Sequence, residues 1–207
     1  SKVFEDELIE VSLEECRAPM GISKRAHIAE MLAMPRINKT FVQLHDRQPH
    51  TNDLDRMYER FLRINESVVL SHVTPIAGAL ETFSYLRKRN IKIGSTSGYG
   101  RALMTKIIPL AAEFGLVVDT VVCGDDLAEG RPSPLMMYQC FADLGVYPSE
   151  TVIKVDDTCP GILEAVAAGS KAVGITLTGN AVGMSEAELD VLSQDQKEEL
   201  HQMHAAE

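Results

Sequence analysis

The sequence predicts an α/β protein: a parallel sheet covered on both faces, preceded by a helical region without strands. Three observations carry that expectation. The first 74 residues show helical spacing of apolar side chains, helices and strands alternate after Pro75, and three consecutive strand ends carry small hydroxyls, glycine and paired acids. The change of character divides the chain into a helical region, 1–74, and an α/β core, 75–207.

In the helical region, Val3, Phe4, Leu8 and Ile9 mark one amphipathic stretch, and Ile28, Met31 and Leu32 a second. A third runs through Leu54, Met57, Tyr58, Phe61 and Leu62. Pro19-Met20-Gly21, Pro35 and the polar run 46–53 bound these stretches. In the core, Ile76, Ala79, Leu80, Phe83 and Leu86 share a helical face, and Arg87-Lys88-Arg89 suits a helix C-terminus. Strands are expected at 91–96, 120–123, 151–155 and 172–176. Helices are expected through Leu103, Ile107, Ile108 and Leu110, at 134–144, at 160–168, and over the last residues from His201. Strand-helix alternation of this kind implies a Rossmann-like parallel sheet, with ligands bound beyond the carboxyl ends of the strands.

Length and composition set the class. A chain of 207 residues with 45% hydrophobic and 24% charged residues has the make-up of a soluble globular protein. The net charge of −10 and a pI near 5.1 argue against non-specific nucleic-acid binding, so an anionic substrate has to be drawn in by local cations. Cys16, Cys123, Cys140 and Cys159 form no C-x-x-C pair, which points to free thiols in a reducing cytoplasm rather than to a zinc site. No apolar run reaches membrane-spanning length, and no secretory signal is visible, so neither a membrane partner nor export is expected. Of the histidines, His45, His50, His72, His201 and His204 are scattered and read as solvated.

The strand ends are Ser95-Thr96-Ser97-Gly98, Gly124-Asp125-Asp126 and Asp156-Asp157-Thr158, a pattern suited to an anion held beside a divalent cation. Their order and spacing resemble the haloacid dehalogenase superfamily. Ile91 to Tyr99 looks like its second motif with Ser97 as the phosphate-binding hydroxyl, Gly130-Arg131-Pro132-Ser133-Pro134 like its third with Arg131 as the cation, and Lys154 to Ile162 like its fourth with Asp157 as magnesium ligand. Some members have a second acid where this sequence has Gly161, with Asp156 the neighbouring acid that stands to compensate in part. The block Pro19-Met20-Gly21-Ile22-Ser23-Lys24-Arg25-Ala26-His27 with Met34-Pro35-Arg36-Ile37 is similar to the cap of phosphonoacetaldehyde hydrolases. There a lysine matching Lys24 forms a Schiff base; Arg in the third motif and Gly145-Val146-Tyr147-Pro148 fit the same subfamily.

That resemblance implies hydrolysis of a P–C bond with magnesium, by a protein dimerising through its cap. Breaking a P–C bond expels a carbanion equivalent, and a protonated imine on Lys24 accepts those electrons as an enamine. His27, on the lysine's helical face, would shuttle protons. Ser97 and Arg131 would hold the phosphonate, while Tyr99 and Met20 would line the substrate pocket. The family's nucleophilic aspartate has no match among the 207 residues, which begin in the cap region and read as ending before the family's last strand. Two other readings stand beside this one: a general phosphatase or phosphomutase of the superfamily, and a truncated, inactive homologue with only a binding role. Each critical residue also has a structural alternative: Ser97 satisfying a turn, Asp157 capping a helix, Tyr99 simply packing.

Overall fold

The computed structural model describes residues 2–70 and 72–205, and the side chains of Ser67, Glu186, His204 and Ala205 also lie outside the description. Five helices come first: α1 (Lys2–Glu5), α2 (Leu13–Arg17), α3 (Lys24–Ala33), α4 (Pro35–His45) and α5 (Thr51–Leu70). They close on a core of their own in which Val3, Phe4 and Ile9 pack with Ile28, Met31, Leu32, Ile37, Phe41 and Met57. Burying such side chains stabilises by about 1.5–3 kcal/mol each, so this region has a substantial core independent of the sheet.

Helix α4 is absent from the sequence expectation, which took Pro35 as a boundary. Pro35 is instead the first residue of the new helix, where its missing N–H costs no hydrogen bond. The signal lay in Ile37 and Phe41, four apart and both fully buried.

Then follow α6 (Ala79–Arg87), β1 (Gly94–Ser97), α7 (Arg101–Glu113), β2 (Thr120–Cys123) and α8 (Leu135–Leu144). The order continues through β3 (Ile153–Asp156), α9 (Cys159–Ala167), β4 (Lys171–Gly174), α10 (Glu186–Asp190) and α11 (Gln194–Ala205). All pairing is parallel. In one pair Gly94 lies opposite Thr120 and Ser97 opposite Cys123; in the other Ile153 lies opposite Lys171 and Asp156 opposite Gly174. The described strands fall into two parallel pairs, in keeping with the α/β, Rossmann-like class the sequence predicts. Side chains join them, since Lys154 of β3 donates to Thr96 Oγ1 of β1 at 2.6 Å.

The first strand starts later than the apolar pattern indicated. Residues 91–93 leave the ladder because Ile93 N–H is taken by the Asp119 carboxylate at 2.8 Å, and its carbonyl by Asp119 N–H at 2.7 Å. Val122 packs with Met136 and Cys140 of α8. Met137 packs with Ala165 and Ala168 at α9, so α8 lies between the first pair and α9. No described helix is long and apolar enough to cross a membrane.

Candidate active site

The carboxyl ends of β1, β2 and β3 face the loop that enters α3, and glycine makes the approach possible. Gly21 has φ +97°, and a Cβ there would lie 2.8 Å from Thr158 Cβ and nearer still to its hydroxyl. A Cβ at Gly98 would meet the Ile22 carbonyl oxygen at 2.8 Å. The Pro19–Ser23 segment is therefore seated on the strand-end loops by backbone contact.

Ser23 caps α3 by accepting from Ala26 N–H, which makes Lys24 the first helical residue. The positive end of the helix dipole disfavours an ammonium there. Lys24 Nζ lies 3.7 Å from Met20 Sδ and 5.2 Å from the centre of the Tyr99 ring. Burial lowers the Lys24 pKa below the ordinary lysine value, the Arg131 charge lowers it further, and Asp157 opposes both. Arg25 is adjacent to Lys24 in sequence. Arg25 instead pairs with Asp55 of α5 at 2.6 Å, and the cation acting on Lys24 is Arg131.

His27, one turn on, is pushed down to about 4 by burial and by Lys24, with the Cys16 backbone opposing. Its Nδ1 is buried without a well-formed hydrogen bond. A neutral imidazole beside a lysine amine can accept a proton. Tyr99 has its phenol pKa raised by burial, Asn65 opposing, so it stays a neutral hydrogen-bond donor at pH 7.

The three motif residues fare differently. Ser97 Oγ accepts from Tyr99 N–H at 3.1 Å, the turn role weighed as its alternative, which still leaves its own proton to donate. Asp157 does not cap α9; Thr158 does, accepting from Gly161 N–H. Asp157 Oδ2 accepts from Asn180 N–H at 3.2 Å, and the residue borders a cavity of about 350 Å³ with Ile76, Val155, Asp156, Ile175 and Thr178. A larger cavity, about 680 Å³, lies by α2 and Arg36 and contains none of the expected site residues.

Arg131 is 9% exposed and anchored on three sides. Its Nε donates to Glu164 at 3.0 Å, and its Nη2 donates to Thr96 O at 2.7 Å and Thr96 Oγ1 at 3.0 Å and faces Asp156 at 3.1 Å. Lys154 joins this cluster through Thr96 and Glu164. Burial and Arg131 lower the Lys154 pKa, and Glu164 and Asp156 raise it. Thr96, Lys154 and Glu164 were not singled out from the sequence. The available signal was Glu164, the lone charge in the apolar helix sequence CPGILEAVA and fully buried in the structure.

No group of three His, Cys, Asp or Glu among the described residues is arranged to hold a metal ion. Magnesium is commonly held by one or two carboxylates, with water and substrate phosphates completing its shell. Asp157, exposed at the cavity and with its Oδ1 unengaged among the described residues, fits that smaller requirement.

A lysine with a lowered pKa, a histidine one turn on, and an arginine whose charge acts on that lysine are thus brought together. The chain belongs to the haloacid dehalogenase-like hydrolases, whose family model matches residues 1–175. Within that class it is 40% identical over 188 residues to the phosphonoacetaldehyde hydrolase of Paraburkholderia xenovorans (strain LB400), covering 91% of this chain and 70% of the relative. It is 39% identical over 189 residues to that of Bacillus cereus (strain B4264), covering 91% and 72%. Among solved structures it is similar to a phosphonoacetaldehyde hydrolase-like protein from Oleispira antarctica. That match has a TM-score of 0.95 at 34% identity, over 99% of this chain and 74% of the other. By this resemblance the protein is a hydrolase.

Proposed function

We propose that this chain carries the substrate-activating half of a phosphonoacetaldehyde hydrolase, which cleaves the P–C bond to acetaldehyde and phosphate. The observation that carries the reading is Lys24: the first residue of α3, desolvated, beside Tyr99 and within the field of Arg131. A neutral amine attacks the aldehyde carbon, and loss of water leaves an imine. Once protonated, that imine takes up the electron pair of the breaking P–C bond. His27 is neutral and lies on the lysine's face of α3, which suits proton transfer during imine formation. Ser97 donates to the phosphonate, and Arg131 contributes a fixed positive charge.

Asp157 would hold magnesium, which supplies charge neutralisation on the phosphonate oxygens. The aspartate that receives the phosphoryl group in the family has no match among these 207 residues, so the roles assigned to them are binding, imine formation and charge placement. Cytoplasmic location and dimerisation through the cap belong to the same reading, carried by the resemblance.

A substrate panel tests it. Purified protein is expected to form a borohydride-reducible imine with phosphonoacetaldehyde and to leave simple phosphate esters intact, and Lys24→Ala is expected to abolish imine formation. Ester hydrolysis that survives Lys24→Ala, without phosphonate turnover in the parent protein, would favour the general phosphatase reading instead.

A further inference from the structure

Arg17 is the last residue of α2, two residues ahead of the Pro19–Ser23 segment that delivers Lys24. Its Nη2 donates to the Gly183 carbonyl at 2.6 Å, across 166 residues of chain, and the bond is partly buried. Gly183 belongs to the loop between β4 and α10, and a glycine is needed there. Its φ is +61°, and a Cβ would fall inside the Arg17 guanidinium, overlapping its carbon and both terminal nitrogens. The guanidinium therefore packs directly on the loop backbone.

The same loop touches Asp157 from its other end. Gly183 N–H donates to Gly179 O at 3.4 Å, which closes residues 179–183 into a turn. Within the turn Asn180 N–H donates to Asp157 Oδ2 at 3.2 Å. Gly179 is buried, and a Cβ there would strike the Ile175 carbonyl oxygen and lie 3.2 Å from Asp157 Cβ. Gly21, four residues after Arg17, is seated on Thr158, the neighbour of Asp157. Three distant segments, 17–24, 157–158 and 179–183, thus close a ring of contacts that carries both Lys24 and Asp157.

We infer that Arg17 is a positioning residue for Asp157: it pins the 179–183 turn, and the turn's Asn180 N–H fixes the direction in which the carboxylate points. This rests on the reading of Asp157 as the acid that holds magnesium. An exposed carboxylate samples several rotamers, whereas one oxygen bound to a fixed N–H leaves the other aimed one way. A charged donor on a carbonyl oxygen makes a stronger bond than a neutral pair, so one arginine can anchor a loop that has no helix or strand of its own. The contact also joins the helical region to the core at the two places where the site needs register, the start of α3 and the end of β3.

Four variants of the 207-residue chain test it: Arg17→Met, Arg17→Lys, Gly183→Ala, and Arg17→Met combined with Gly183→Ala. Hydrogen exchange read by mass spectrometry, without metal, reports the pin directly. Calorimetry with Mg2+ alone reports its consequence for Asp157, at a temperature where every variant is folded. Arg17→Met is expected to speed exchange in the peptide spanning 178–184 and to weaken Mg2+ binding about tenfold, the scale of one hydrogen bond to a charged group. Removing a cation favours a nearby dication by Coulomb attraction, so weaker binding reports displaced geometry rather than lost charge. Arg17→Lys keeps the charge without the planar donors and should fall between. Gly183→Ala should behave like Arg17→Met, since its methyl group displaces the guanidinium. The double variant should then be no worse than Gly183→Ala in exchange or in Mg2+ affinity. Parental exchange at 178–184 in Arg17→Met overturns the inference, as do Mg2+ affinity equal to or above the parent's and additive losses in the double variant. A parent protein that binds no Mg2+ defeats the reading of Asp157 instead, and the exchange data then decide whether Arg17 pins the turn.

Discussion

The Lys24 amine is biased toward its neutral form by three local features: its place at the start of α3, its burial, and the Arg131 charge, with Asp157 pulling the other way. These signs predict a pH dependence. Imine formation needs the neutral amine, so its rate rises with pH through a midpoint below the ordinary lysine value. Asp157→Asn removes the group that raises the Lys24 pKa and is expected to move that midpoint to lower pH. Arg131→Gln removes a group that lowers it and should move it up. Rates of imine formation measured against pH for the three proteins check both directions, and shifts of the same sign would exclude these charges as the cause.

At this scale the sequence was informative where residue type and spacing carry chemistry. Lys24 and His27, three apart, do fall at the start of one helix beside Tyr99 and Met20. The cluster bracing Arg131 was not legible. Thr96, Lys154 and Glu164 are 58 and 68 residues apart along the chain, and a lysine in a short strand carries no mark of burial.

Among the elements, the Pro19–Ser23 segment matters most, since it delivers Lys24 to the strand ends. Gly21 is the residue that lets it seat, by its positive φ and by its contact with Thr158. Gly21→Ala is expected to cost at least about 1 kcal/mol from backbone conformation alone. Relieving the overlap with Thr158 would lift the loop, so KM should rise along with a lower thermal midpoint. Calorimetry and steady-state kinetics on that variant would show whether stability and KM move together. The turn could be placed from Pro19-Met20-Gly21, but its seating on α9 could not, because long-range backbone approach leaves no local pattern. Helix α4 was hidden for the opposite reason: a strong local signal, Pro35, was read as a stop when proline suits a first turn equally well.

Among the described residues of the molecule, two parallel pairs of strands are tied by a buried polar cluster rather than by a continuous ladder. Glu164 is 0% exposed and pairs with both Arg131 and Lys154. Removing one partner of a buried ionic group leaves charge uncompensated, so Glu164→Ala is expected to cost about 3–5 kcal/mol, with Glu164→Gln costing less. Urea unfolding would measure both, and a Glu164→Ala protein as stable as its parent would show that the cluster does not hold the pairs together. The alternation of helices and strands announced the α/β class and the parallel pairing. The split into two pairs was not announced, because apolar runs report burial and not which strands are neighbours.

Covalent chemistry at Lys24 is the claim on which the functional reading depends. Incubation with phosphonoacetaldehyde and borohydride reduces any imine to a stable secondary amine, and peptide mass spectrometry locates it. The account predicts a substrate-derived adduct on Lys24, absent in Lys24→Arg. Full phosphonate turnover with no adduct at Lys24, or turnover retained by Lys24→Ala, would contradict it.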